Sequence, residues 1–207
     1  MIAGMVEMEP RVLVLFAHPA LRKSRCNRRL LAAARSVAGV TVRDLYEEYS
    51  DFMIDVPREQ DLLRAHDVIV FQHPFYWYSC PAILKEWMDL VLEHGFAYGE
   101  TGRALHGKRL LSAVTTGGAA ESYSGDGLNV YTVRQMLVPF EQTARLCGMR
   151  FLPPFLVQGT FTMKPDRLEE HAEDYARLLE ALRDGNMDAE AVHSLPGIDG
   201  FQGGLVS

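Results

Sequence analysis

Short apolar runs alternate along this chain with longer stretches whose apolar residues recur at helical spacing. The first run, Arg11 to Ala17, reads RVLVLFA and is nearly all apolar, the pattern of a parallel strand buried on both faces. After a loop from His18 to Ser24, the stretch from Arg25 to Val37 brings Leu30, Leu31 and Ala34 to one helical face, and Gly39 closes it. Val40 to Leu45 alternates imperfectly and predicts a second strand. Pro57 opens a helix ending at about Ala65. Asp67 to Gln72 predicts a third, buried strand, and Pro81 opens a helix with Ile83, Leu84, Trp87, Leu90 and Val91 on one face. Lys108 to Thr115 predicts a fourth strand, and Asn129 to Cys147 a helix stopped by Gly148. Met149 to Val157 reads as a fifth strand bent or cut by Pro153 and Pro154, and Arg167 to Arg183 as a last helix charged on one side.

This alternation predicts an α/β architecture: an open five-stranded parallel sheet with helices on both faces. Right-handed crossovers favour the strand order 2-1-3-4-5. In such sheets ligands bind outside the carboxyl ends of the strands, where the strand order switches. The loops after the first, third and fourth strands are therefore where chemistry is expected.

Those loops differ in character. The first runs from His18 to a helix start at Ser24, Arg25, Cys26 and Asn27. Unpaired N–H groups at a helix start attract anions, and Ser24, Asn27 and His18 add donors, while Arg22, Lys23 and Arg25 add positive charge. Neither GxGxxG nor a P-loop is present, so a phosphate held here is held without those devices. The second loop carries the consecutive aromatics Phe75, Tyr76, Trp77 and Tyr78, a flat apolar surface suited to a planar heteroaromatic ring. The third contains Thr115, Thr116, Gly117 and Gly118, whose glycines permit positive φ and close backbone approach to a ligand.

Composition narrows this picture more by exclusion. The 207 residues include 48% hydrophobic positions, enough for a substantial core, and no apolar run long enough to span a bilayer. Net charge is −6, which argues against nucleic acid as a partner. Cys26, Cys80 and Cys147 are scattered, fit neither a disulfide framework nor a zinc site, and suit a reducing compartment; Cys80 and Cys147 read as packing residues. His94 and His106 lack a second ligand at metal spacing, so no metal is expected. Met1 to Pro10 does not read as a signal peptide, and a cytoplasmic protein is expected. The expected organisation is a disordered arm over 1–10, one domain over 11–184 and a tail over 185–207.

Several motifs occur together and in order. They are Ala17-His-Pro with Ser24-x-x-Asn27, then His73-Pro-x-x-Trp77-x-x-x-Pro81-Ala-x-Leu-Lys-x-Trp-x-Asp89, Gly95-x-Ala-Tyr-Gly99, Ala104-Leu-x-Gly-Lys108 and Thr115-Thr-Gly-Gly118. With these the chain resembles the flavodoxin-like NAD(P)H:quinone oxidoreductases. His106-Gly-Lys108 and Cys147-Gly-x-x-x-Leu-Pro-Pro-Phe155 make it most similar to the branch that serves as ancillary subunits of glutathione-gated potassium efflux systems. The resemblance implies FMN, or alternatively FAD, with His18 and Ser24 to Asn27 on its phosphate side, Phe75 to Tyr78 along the isoalloxazine and Thr115 to Gly118 at the pyrimidine edge. It implies ping-pong transfer of a hydride from NAD(P)H to a quinone, and a homodimer with Phe96 and Tyr98 at the subunit contact or pocket rim.

Tyr123 is carried over as the candidate catalytic hydrogen-bond partner. The histidine that accompanies such a tyrosine is replaced by Asn129, which puts a Tyr-His relay in doubt. The competing function is a regulatory subunit docked on a membrane potassium-efflux transporter, which would place the protein peripherally at the inner membrane. A one-electron carrier is disfavoured by the long segment from Gly95 to Lys108 and by the lack of a Thr/Ser-rich phosphate loop.

Overall fold

The computed structural model describes residues 11–186. The expected arm over 1–10 and nearly all of the expected tail over 185–207 lie outside the described residues. Parallel strands β1 (Val12–Phe16), β2 (Val40–Asp44), β3 (Val68–Pro74) and β4 (Arg109–Thr115) form the body of the sheet, and β5 (Arg150–Phe151) and β6 (Phe155–Val157) complete it. The order is β2-β1-β3-β4-β5, with β6 also on β4. The expected fifth strand is thus present in two pieces: Leu110 faces Phe151 and Ala113 faces Phe155. Pro153 and Pro154, which donate no N–H, occupy the interruption between them.

The helices cover both faces. Helices α1 (Arg25–Ser36) and α7 (Pro165–Arg183) pack on one, where Leu30, Ala34, Tyr175, Leu178 and Leu182 meet Val14, Val70 and Leu111. On the other lie the short α2 (Leu45–Glu48), α3 (Val56–Ala65), α4 (Ala82–Val91), α5 (Val133–Met136) and α6 (Val138–Leu146), around Phe71, Trp87 and Phe140. Leu90, expected on the buried face of α4, is 39% exposed. The single helix expected over Asn129–Cys147 is later and broken. Thr132 and Gln135 form a reciprocal capping box that starts α5 at Val133. Pro139 then interrupts the helical hydrogen bonds, and the break falls at Leu137. Phe96 is a core residue with the Arg64 guanidinium 4.8 Å from its ring centroid, and neither Phe96 nor Tyr98 lines the cleft formed by the loops after β1, β3 and β4.

The edge strand β2 is held by a buried charged cluster with no obvious trace in the hydrophobic pattern. Glu59, fully buried on α3, accepts from Arg43 Nη2 at 2.8 Å, Tyr49 Oη at 2.7 Å and Trp87 Nε1 at 2.9 Å. Burial, reinforced by the bond to Glu59, pushes the Tyr49 phenol up to about 12. Replacing Glu59 by Gln leaves Arg43 buried with Glu48 as its remaining carboxylate. We expect a loss of about 3 kcal/mol, the low end of what breaking a buried pair costs. Urea unfolding would read it as a lower midpoint at unchanged slope; a loss below roughly 1 kcal/mol would mean that the cluster does not anchor β2.

Candidate functional site

The order switch between β1 and β3 brings three loops together above the sheet, as the strand pattern predicts. Leaving β1, the chain passes His18, whose Nδ1 accepts the Ala20 N–H at 3.1 Å. The proton of the neutral ring is therefore on Nε2, and burial lowers the His18 pKa below its ordinary value. Ser24 caps α1: its Oγ accepts the Asn27 N–H at 3.2 Å. Asn27 is 2% exposed, and its Nδ2 donates to Ser24 Oγ at 3.2 Å and to Thr115 Oγ1 at 2.9 Å, so one amide joins the loops that follow β1 and β4. Its Oδ1 is buried without a partner among the described residues. Arg25 donates to the Met163 carbonyl at 2.6 Å, and Cys26 Sγ lies 4.0 Å from Met163 Sδ. Burial raises the Cys26 thiol pKa, which favours the protonated form.

After β3 the aromatics form a tight turn in which Ser79 N–H donates to Tyr76 O at 3.0 Å. Trp77 and Tyr78 occupy its centre with φ of 49° and 62°. Turns of this hand normally take Asn or Gly there, and bulky residues in the left-handed region are strained. In this turn Trp77 projects outward and is 92% exposed. Tyr78 Oη donates to Asn129 Oδ1 at 3.1 Å, while Phe75 packs between Tyr78 and Tyr123 at centroid distances of 6.2 and 6.3 Å. Asn129, at the position where a relay histidine would stand, is thus bonded to Tyr78.

After β4, neither Gly117 nor Gly118 has positive φ. Gly117 lets the Phe161 ring approach its backbone closely: a Cβ there would lie 2.3 Å from that ring, which would have to swing away. Thr116 is buried and absent from the cleft wall; its hydroxyl donates to Gly118 O at 2.7 Å and its carbonyl accepts from the Thr160 N–H and hydroxyl, both at 3.1 Å. It braces the loop on which Gly117 and Gly118 face the cleft.

The cleft enclosed by these loops has a volume of about 650 Å³ and is lined by every other expected site residue, including Tyr123. Thr160 and Phe161, between β6 and α7, also line it and escape the sequence reading. Their signal was positional, since the loop after the fifth strand opens on the same end of the sheet. Lys23 and Arg25 are the lining cations, and no carboxylate lines the cleft. Among the described residues, no group of three or more metal-ligating side chains occurs, and no helix is long and apolar enough to cross a membrane.

A family model described as flavodoxin-like fold matches residues 10–179. The chain belongs to the flavodoxin-like fold family. It is 50% identical over 169 residues to the glutathione-regulated potassium-efflux system ancillary protein KefG of Enterobacter sp. (strain 638), covering 82% of this chain and 92% of that one. Among solved structures it is similar to general stress protein 14 of Treponema denticola in complex with FMN (39% identity, TM-score 0.80, 84% of this chain and 99% of that one). It is also similar to an NADPH-quinone reductase from P. pentosaceus (32% identity, TM-score 0.74, 81% and 96%).

In this flavodoxin-like chain the cleft rests on a second buried histidine. His73 is fully buried at the end of β3, stacks on Phe140 at a centroid distance of 5.8 Å, and places Nδ1 3.0 Å from Pro74 O. Burial lowers its pKa to about 4. Unfolding restores an ordinary value near 6.5, so below that pH the unfolded chain binds a proton that the folded chain does not. The stability contribution is complete above about pH 6.5 and is lost as pH falls toward 4, approaching ~1.4 kcal/mol per pH unit. Comparing wild type with His73→Asn by denaturant melts from pH 7 to 4.5 checks this. The variant should show a shallower acid loss, and parallel curves would remove His73 as the cause.

Proposed function

We propose that the cleft binds FMN and that the protein transfers a hydride from NAD(P)H to a quinone or similar electrophilic acceptor. The single observation that carries this reading is the buried Asn27 Oδ1, an acceptor without a partner at a cleft whose walls otherwise match the parts of FMN. A hydroxyl of the ribityl chain would satisfy it, since a buried unpaired acceptor costs about 1–3 kcal/mol. Ser24, Arg25 and the free N–H groups at the start of α1 suit the phosphate. The turn from Phe75 to Tyr78 suits the ring, and the Gly117 and Gly118 N–H groups suit its carbonyl-bearing edge.

Bound FMN would supply the two-electron hydride chemistry. The protein's own part is positioning, shielding and charge stabilisation. The strained turn holds Trp77 and Tyr78 at the mouth, where a flat donor or acceptor enters. Burial raises the Tyr123 pKa, opposed by the Thr116 hydroxyl, so its O–H stays available as a hydrogen-bond donor toward negative charge on a ligand. With Asn129 bonded to Tyr78 rather than relaying a proton from Tyr123, solvent supplies the proton.

The relationship to KefG supports a second reading, compatible with the first, in which the protein serves as an ancillary subunit of a potassium-efflux transporter and lies peripherally on the membrane bearing it. A homodimer belongs to the same proposal. Co-purification with such a transporter tests the partnership. The enzyme reading is tested by releasing the flavin, identifying it by mass and following its bleaching on NAD(P)H addition. The expected result is FMN, bleached within turnover time and regained with quinone; a protein that takes no flavin sinks the reading. Trp77→Ala should weaken FMN retention about fivefold to tenfold at unchanged thermal stability, and unaltered retention would remove Trp77 from the site.

A further inference from the structure

We infer that Phe161, Lys23 and Arg22 form a subsite for the 2′-phosphoadenosine half of the nicotinamide donor, which makes NADPH the preferred reductant. This rests on the proposed FMN cleft and goes beyond it. The first support is charge. The whole chain carries 27 acidic residues, yet none lies between Glu9 and Asp44, the stretch that builds the first loop and α1. The cleft wall holds Lys23 and Arg25 and no carboxylate, in a protein of net charge −6. An FMN phosphate of nearly two negative charges balances Lys23 and Arg25, and Arg22 on the adjoining turn adds positive charge beyond what that phosphate needs.

The second support is how the cations are used. Arg25 is tied to Met163 O, Arg28 to Ser24 O and Arg29 to Glu169. Arg22 and Lys23, on the exposed turn Leu21–Lys23 ahead of the phosphate-binding helix start, have no side-chain hydrogen bond or ion pair among the described residues. They are left for an anion other than the one held by α1.

The third support is an aromatic ring that lines the same cleft as Lys23. Phe161 is 87% exposed, lies against the Gly117 backbone with no room for a Cβ between, and lines the cleft. The Arg25–Met163 hydrogen bond ties the two segments together, with Lys23 two residues before it and Phe161 two residues before Met163. A flat apolar platform in a cleft that also carries the unpaired Lys23, with Arg22 next to it in the chain, suits a purine bearing a phosphate. The adenosine of NADH instead presents a ribose diol, which is recognised by a carboxylate acceptor, and the cleft has none.

The test is calorimetric titration of the protein, in saturating FMN, with 2′,5′-ADP and with 5′-AMP. Saturating FMN keeps both probes off the helix-start phosphate site. We expect 2′,5′-ADP to bind about tenfold or more tightly than 5′-AMP, a difference abolished by combined Arg22→Ala and Lys23→Ala. Phe161→Ala should weaken both probes several-fold. Equal binding of the probes, or a preference that survives loss of both cations, overturns the subsite. Finding FAD rather than FMN in the purified protein also overturns it, because the adenosine position would then belong to the flavin. A protein that takes no flavin defeats the enzyme reading separately. In that protein the helix-start site is open to both probes, so the subsite is read from the part of the 2′,5′-ADP preference that combined Arg22→Ala and Lys23→Ala removes: a loss supports the subsite and no loss overturns it.

Discussion

The side-chain amide of Asn27 is the joint on which the site depends. Its Nδ2 reaches Ser24 Oγ at the start of α1, which follows β1, and Thr115 Oγ1 at the end of β4; β3 lies between β1 and β4 in the sheet. Both donor hydrogens are thereby committed, and Oδ1 remains buried with its lone pairs unused. A folded protein rarely leaves a buried acceptor unpaired, and under the proposed function the hydrogen bonding at Oδ1 is completed by the ligand. The same amide fixes the distance between the anion-attracting helix start and the Gly117–Gly118 loop, and so the span a ligand must bridge.

The aromatic turn is built on the opposite principle. Trp77 and Tyr78 sit at positive φ in positions that favour small residues, and Trp77 remains almost wholly in solvent. Tyr78 is held by Asn129 and Phe75, but no hydrogen bond or ring contact among the described residues holds the Trp77 side chain, and strain of this kind is characteristic of functional loops. The rest of the molecule supplies the rigidity that tolerates it: a sheet covered on both faces, a buried charged cluster anchoring β2, and His73 beneath the turn holding the Pro74 carbonyl. Pocket chemistry and scaffold stability are in this way assigned to different residues.

Much of the architecture was legible in the residue pattern because buried parallel strands and amphipathic helices leave strong periodic signals. Those signals located the first, third and fourth loops, and with them His18, Ser24 to Asn27, Phe75 to Tyr78 and Thr115 to Gly118. What escaped was what periodicity does not encode. The start of α5 depends on a reciprocal Thr132–Gln135 contact, and the break before α6 on Pro139. The Glu59 cluster joins residues from four segments, and charged letters in a sequence do not announce burial. Phe161 follows the fifth strand, outside the three loops that the strand order singles out, and of the two freedoms expected of Gly117, positive φ is not used while its backbone is closely approached by the Phe161 ring. Thr116, expected at the site, is buried behind the cleft wall and braces its loop.

Two tryptophans make the central claim directly measurable. Trp77 is exposed at the cleft mouth, whereas Trp87 is fully buried and bonded to Glu59. Titrating FMN into flavin-free protein while following tryptophan emission tests whether the cleft is the flavin site. A saturable quenching of the red-shifted component at one FMN per chain, absent in Trp77→Phe, is the predicted result. No saturable quenching, or quenching of equal size in Trp77→Phe, would contradict the account.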